Sequence, residues 1–299
     1  MPTTDRATIV TARPLGPASG SARRPRPLQR IRWSIVLAAG WLALLVVVAA
    51  TADLLPLSEG RDPSRTLSVV AMAPPTLIGA HPLGTDALGL DILAQLIYGA
   101  RVSITVAVGA TALALLLGAM LGMTAGYARG PVDQIIGFVT DVLLSFPGLI
   151  LLLAMATFLR PNTANVTVAL GILALPGYVR LARSNTLAIA SREFVTASRA
   201  LGAGAVRILV RGVLPHLVPT LLSYGFLAMS FLIVAEASLS YLGLGIQRPD
   251  PTWGNLIATG QAHLETHPGL VAIPAAALFL TVASANALGQ WLSSRRGPA

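Results

Sequence analysis

Long apolar segments are the feature that most constrains this chain. Six of them are each on the order of 20 residues long, which suffices to cross a hydrocarbon core of ~30 Å. The chain is 54% hydrophobic and only 11% charged, a composition that excludes an ordinary soluble domain. Because lipid offers the backbone no hydrogen-bond partners, such segments cross the membrane as helices. We predict an all-α membrane protein with six transmembrane helices, at residues 33–52, 102–125, 135–159, 164–179, 218–235 and 269–292.

The placement of positive charge predicts how the chain is oriented. A net charge of +9 is compatible with nucleic-acid binding, but the arginines are separated by membrane-length segments. They concentrate in the N-terminal tail, in residues 180–211 and at Arg295-Arg296, as the positive-inside rule requires of cytoplasmic segments. We therefore predict no nucleic-acid partner, a disordered cytoplasmic tail at residues 1–30 and a cytoplasmic C-terminus at residues 293–299.

Missing residue types restrict the chemistry. The sequence has no cysteine, and all 21 of its basic residues are arginine. Disulfides, thiolate metal sites and the lysine of a P-loop are thereby excluded, so ATP and Mg²⁺ would have to be bound by a partner chain. No hydrolase motif is present, and we predict no catalytic residue. His263 and His267 have the spacing of a metal-binding pair, but in a loop we interpret them as solvated and predict no metal.

One polar stretch, residues 192–219, lies between two apolar segments. Its first ten residues predict a helix with Phe194, Ala197 and Leu201 on one side and small residues on the adjacent stripe. Gly202 and Gly204 are expected to end it, because glycine adopts the left-handed conformation without strain. Two interpretations remain open: a helix that docks into a groove of another protein, or an amphipathic helix on the membrane surface.

The same stretch resembles a known family. Glu193, Ala197-Ser198, Gly202 and the run Gly212-Val213-Leu214-Pro215 are spaced as in the EAA loop of bacterial ABC-importer membrane subunits. Ser198 and Gly212 stand where alanine and isoleucine are usual, and neither adds bulk. The resemblance implies a coupling helix that sits in a cleft of an ATPase subunit. The residues it assigns to coupling are Glu193, Phe194, Ala197, Ser198, Arg199, Gly202 and Pro215.

A second resemblance lies in the polar segment that precedes the second span. Residues 31–98 are predicted to hold the first span, an external loop and an interfacial helix that starts near Leu88, with Thr85 as its N-cap. Residues 99–292 would form the permease core. The segment resembles the C-type permeases of dipeptide, oligopeptide and nickel importers, with Leu90 where that family has arginine. The matching external residues are Gly84, Thr85, Asp86, Asp91 and Arg101.

Several residues inside the predicted spans are candidates for packing or for the transport path. Gly118, Gly122 and Gly126 recur every four residues, a spacing that lets helices pack closely in lipid. Pro147 predicts a kink in the third span. Asp141 and Glu236 admit two interpretations: a proton relay, or structural carboxylates satisfied by Arg101, Arg180 or a partner subunit. We favour the structural role. A re-entrant or interfacial piece is predicted at residues 236–245.

These resemblances together imply a type I ABC-importer permease fold and a function. The chain would form half of a pathway for dipeptides or oligopeptides across the bacterial cytoplasmic membrane. Its partners would be a homologous second permease, one or two ABC ATPase subunits, an extracytoplasmic binding protein and membrane lipid. The alternatives are a permease for nickel or another small solute and, from a different class, a proton-coupled transporter or intramembrane enzyme using Asp141 and Glu236.

Overall fold

The computed structural model describes residues 33–76, 79–158 and 160–295. The predicted tail at residues 1–30 and most of the predicted C-terminal segment lie outside this range. The described part is helical apart from turns, loops and one isolated antiparallel bridge between Thr85 and Asp91. The helices are α1 (Trp33–Ala50), α2 (Ile92–Ala128), α3 (Gly130–Ser145), α4 (Gly148–Phe158), α5 (Thr163–Ala190), α6 (Glu193–Ala200), α7 (Ala205–Arg207), α8 (Leu214–Tyr241), α9 (Trp253–Gly260) and α10 (Gly269–Ser294).

Among the residues that the structure describes, five helical stretches are long and apolar enough to cross a membrane. These are α1, α2, α5, α10 and the continuous stretch Ala205–Tyr241, which runs from α7 through a π-helical turn at Ile208–Val213 into α8. Helices α3 and α4 meet at an angle of 91°. If they are counted together as one broken span, they supply a sixth. Pro147 stands in the break and cannot donate a backbone hydrogen bond. The predicted kink is confirmed, and the bend is sharp enough to make two helices.

The second span is longer than predicted and has no separate interfacial helix before it. Asp91, not Thr85, caps α2, because its carboxylate accepts a 2.7 Å hydrogen bond from the backbone N–H of Ala94. The hydroxyl of Thr85 instead donates to the carbonyl of Val70 at 2.7 Å. The apolar stripe predicted for an interfacial helix from Leu88 continues in register into the span, and therefore one helix results.

Two other predicted helix boundaries are wrong, because polar residues do not end these helices. Helix α5 continues past the predicted end at residue 179, so Arg180 and Arg183 are helical and not part of a loop. Helix α8 runs unbroken through Glu236 to Tyr241, so residues 236–241 are not a re-entrant piece. Polar side chains do not end a helix when neighbouring helices supply their hydrogen-bond or ion-pair partners. The sequence prediction ends each helix where polar residues begin.

The glycine face of α2 packs against α5, as predicted. A Cβ atom added to Gly122 would lie 2.5 Å from the carbonyl oxygen of Val179 and 2.6 Å from the Cβ of Ala182. Gly118 and Gly126 face the same helix, one beside Tyr178 and the other beside Thr186. The two backbones therefore approach so closely that no side chain fits between them. This makes α2 and α5 a tightly packed pair at the centre of the fold.

Candidate functional site

The predicted coupling helix is present with nearly the predicted limits. Helix α6 is preceded by Arg192 as N-cap and followed by Leu201. Gly202 adopts φ +81° in the left-handed region, as expected. Gly204 does not: its φ of −70° and ψ of 157° are extended, and it serves as the N-cap of α7. A single glycine suffices to end α6, because the backbone N–H groups of Gly202 and Ala203 already bond to the last turn.

One residue of α6 is buried in the protein core. Val195 is 1% exposed and belongs to the core cluster that includes Tyr178 and Leu217. Phe194 is 40% exposed and Leu201 is 88% exposed. The predicted face of Phe194, Ala197 and Leu201 is therefore turned outward. Glu193 and Ala197 are exposed too, which leaves the small-residue stripe open to another protein.

A recess lies behind α6, where it faces the π-helical turn and the start of α8. Its volume is about 320 Å³, and its walls include Ser198, Arg207 and Arg211. The ring of Phe194 stacks on that of His216, with centroids 5.6 Å apart. Pro215 is exposed in the first turn of α8, directly before His216 in the chain. Of the coupling residues assigned by resemblance, Phe194 and Ser198 line this recess.

Arg199 connects this surface to α2. Its guanidinium carbon lies 4.8 Å from the ring centroid of Tyr127, and its Nε donates to the Tyr127 hydroxyl at 3.3 Å. Such a cation–π contact is worth ~0.5–1 kcal/mol at an exposed site. Sequence reasoning missed Tyr127. An aromatic residue directly after the glycine repeat, at the end of the same helix, was the available signal.

Glu236 is fully buried, and its partners are not the predicted ones. The hydroxyl of Ser103 in α2 donates to Oε2 at 2.8 Å, and that of Ser240, one turn along α8, donates to Oε1 at 2.8 Å. Arg101, the predicted partner, pairs instead with Asp53 at 2.6 Å outside the span. One hydroxyl donor from α2 and one from α8 satisfy the two carboxyl oxygens, as a structural role requires.

Asp141 does have a predicted partner. Its Oδ1 accepts a 2.7 Å hydrogen bond from Nη2 of Arg180, with both side chains largely exposed. About two turns earlier in α3, Asp133 makes a two-pronged ion pair with Arg183. Both pairs join α3 to α5. The hydrogen-bond partners of Asp141 and Glu236 have no residue in common, so the structure shows no direct link for a proton relay between them.

The external motif builds a rigid loop. Oδ1 of Asp86 accepts from the backbone N–H groups of Leu88 and Leu90 at 2.8 and 2.9 Å, and Gly84 turns the chain with φ +85°. A Cβ at Gly84 would collide with the carbonyl oxygen of Ala73. Leu90, where the resembling family has arginine, is buried. The cation beside Asp86 comes instead from Arg248, whose Nη2 lies 3.5 Å from Oδ2.

Two carboxylates of the segment between α1 and α2 have lowered pKa values. The backbone N–H of Arg61, followed by that of Asp62, donates to Glu59 and holds the pKa of that carboxyl below its usual value. The guanidinium of Arg101 likewise lowers the pKa of Asp53.

His263 and His267 are joined only by a backbone hydrogen bond, and residues 33–76, 79–158 and 160–295 contain no cluster of three or more metal-ligating side chains.

Comparison with known proteins decides the family. Residues 115–297 match the binding-protein-dependent transport system inner membrane components. The chain belongs to this family. It is 34% identical over 265 residues to the di/tripeptide transport system permease protein DppC of Pseudomonas aeruginosa, an alignment that covers 87% of this chain and 88% of that one. It is 36% identical over 219 residues to the glutathione transport system permease protein GsiD of Pectobacterium atrosepticum, covering 73% of each.

Solved structures agree on the fold. An inward-facing structure of the MetNI methionine ABC transporter matches with a TM-score of 0.58 at 17% identity, over 69% of this chain and 98% of that one. An amino acid ABC transporter matches with a TM-score of 0.51 at 16% identity, over 68% of this chain and 95% of that one. The predicted importer-permease fold is confirmed, and the chain is a multi-pass permease of an ABC importer. Membership of this family favours that prediction over a secondary transporter.

Proposed function

We propose that this permease forms half of a pathway for dipeptides or oligopeptides and is driven by ATP hydrolysis on a partner ATPase bound at α6. The exposure of α6 carries the proposal: Val195 is its one buried residue, and a short helix with an open small-residue stripe suits docking into a groove of another protein. The peptide substrate is supported by the names of the relatives, one for di- and tripeptides and one for glutathione, which is itself a tripeptide.

Three contacts would carry a movement of α6 to the membrane spans. The short turn at Ser191 and Arg192 joins it to α5. Arg199 ties it to α2 through Tyr127, and Phe194 ties it to α8 through His216. Because α2 and α5 pack backbone to backbone, they would move together when the ATPase pulls α6. This fits alternating access by rigid-body rocking of packed helices.

The remaining partners follow from the proposed role. ATP and Mg²⁺ would be bound by the ATPase, since this chain lacks the P-loop lysine. A homologous permease would complete the pathway and cover apolar residues such as Phe138 and Phe231, which are 69% and 59% exposed. An extracytoplasmic binding protein would deliver the peptide on the side opposite α6. Both chain termini would be cytoplasmic, on the same side as α6.

Reconstitution tests the proposal. The permease would be co-purified with its partner permease and ATPase and placed in liposomes with the binding protein. Peptide uptake and ATP hydrolysis would then be measured together. We expect uptake of dipeptides only with ATP. Uptake of nickel but no peptide would overturn the substrate assignment, and peptide uptake without any ATPase would overturn the coupling assignment.

A matched pair of glycine variants tests the role of α6. Gly202→Trp places bulk on the docking surface, and we expect it to abolish peptide-dependent ATP hydrolysis while membrane insertion is kept. Gly243→Trp is the control, since Gly243 also has a positive φ (76°, against 81° at Gly202) and open space around it, but lies at the other end of α8. Both variants carry the same backbone strain. Equal loss in the two would contradict the proposal.

A further inference from the structure

A cavity of about 340 Å³ lies between the N-terminal end of α2, helix α9 and the start of α10. Its walls are mainly apolar, with Leu96, Leu256, Leu270 and Pro274 among the contributors. These segments adjoin the external loops, so the cavity belongs to the end of the protein opposite α6. A volume of this size, apolar with a few convergent polar groups, is typical of small-molecule sites. The coupling mechanism makes no use of it.

Two opposite charges stand in the wall of this cavity. Asp86 is fixed by the two backbone N–H groups on Oδ1, while its Oδ2 accepts from Nε2 of the buried Gln95 at 3.0 Å. The Asp86 side chain is only 14% exposed, and that of Arg248 is 33% exposed. Their separation of 3.5 Å exceeds the ~2.7–2.9 Å of a close charge-assisted hydrogen bond. Both groups therefore retain bonding capacity for a ligand.

We propose that this cavity binds a zwitterion, either a free amino acid or a short peptide, with an apolar side chain. Its ammonium group would bond to Oδ2 of Asp86 and its carboxylate to the guanidinium of Arg248, while the side chain lies against the leucines. A ligand with only one charged group would disturb the contact between Asp86 and Arg248 and give a new partner to only one of them, at a cost in affinity. The choice of ligand class accords with, and in part rests on, the proposed peptide transport.

Binding to the permease–ATPase complex in nanodiscs, without the binding protein, tests this site. The probes are leucine, the dipeptide Leu-Ala, its N-acetyl form and its C-terminal amide, measured by calorimetry. We expect saturable binding of leucine, of Leu-Ala or of both. Blocking either terminus of the bound probe should weaken binding about tenfold or more, because each block removes one ion pair. Saturable binding that ignores both blocks would overturn the proposal.

Three variants localise the binding. Arg248→Gln should weaken it about tenfold or more. Arg61→Gln is the matched control, since Arg61 pairs with Asp250 at 3.2 Å in the same outer region but does not line the cavity. Ala258→Trp adds bulk inside the cavity and leaves both charged side chains in place, and it should also abolish binding. Binding that survives Arg248→Gln and Ala258→Trp would overturn the site.

Uptake measured in the same preparation separates this site from the transport function. If ATP-dependent dipeptide uptake with the binding protein is normal but the complex binds no probe, the cavity proposal is wrong and peptide transport stands. If the complex binds Leu-Ala at the cavity but transports no peptide, the site stands and the proposed substrate is wrong.

Discussion

The backbone contact between α2 and α5 makes a quantitative prediction at Gly122. In Gly122→Val the new Cβ would lie 2.5 Å from the carbonyl oxygen of Val179, whereas ordinary contacts begin at 3.4 Å. The helices would have to separate by about 0.9 Å locally, and the two further methyl groups of valine add to the strain. Overpacking of this kind costs ~1–3 kcal/mol, and we expect at least ~2 kcal/mol here because the obstacle is backbone.

Thermal unfolding of the permease in detergent measures this cost. A loss of ~2 kcal/mol corresponds to a fall in Tm of about 5 °C. The control is Gly40→Val in α1, where nothing lies within 4 Å of the added Cβ. Both substitutions replace a helical glycine and so carry the same change in helix propensity, and their difference isolates the packing term. If the two variants unfold at the same temperature, the glycine face does not set the distance between α2 and α5.

Three further changes have defined outcomes. In Glu236→Gln the free energy of unfolding should stay within about 0.5 kcal/mol of that of the native chain. In Glu236→Leu it should fall by ~1–3 kcal/mol, measured by denaturation in detergent, because two buried serine hydroxyls are left without partners. Asp133→Asn should weaken the attachment of α3 to α5 and lower Tm, and the exchanged pair Asp133→Arg with Arg183→Asp should recover part of the loss; no recovery would contradict a direct ion pair. The pKa of Glu59 is lowered by the N–H of Arg61, so its contribution to stability is present above the unfolded pKa and lost as pH falls through the folded one. Tm measured at falling pH should therefore drop less steeply in Glu59→Gln.

The sequence was sufficient where a short-range pattern decides the structure. The glycine repeat of α2 and the limits of α6 are fixed by spacing and by the left-handed glycine at residue 202, and both were predicted. The ends of α5 and α8 could not be predicted in this way, because these helices continue wherever a neighbouring helix satisfies their polar side chains. Glu236 illustrates this: its partner Ser103 is remote in the chain, and nothing in the local pattern identifies it.

The candidate sites divide in the same way. The proposed coupling surface is one nearly contiguous segment with a recognisable pattern, so the sequence alone predicts its candidate residues. The outer cavity combines Asp86 with Arg248, from loops that precede and follow most of the spans. Leu90, where the resembling family has arginine, pointed to a missing cation in this region. Only the folded chain shows that a different loop supplies one.

Crosslinking from α6 tests the central claim most directly. Because the chain has no cysteine, Ala197→Cys creates a single thiol on the exposed stripe, and Leu242→Cys, 56% exposed in the native chain, creates one at the opposite end of α8. Each variant would be labelled with a photoactivatable maleimide in the active transporter. We predict an ATPase adduct from position 197, changed in yield by ATP, and none from position 242. An active transporter that gives no ATPase adduct from position 197 would contradict the account.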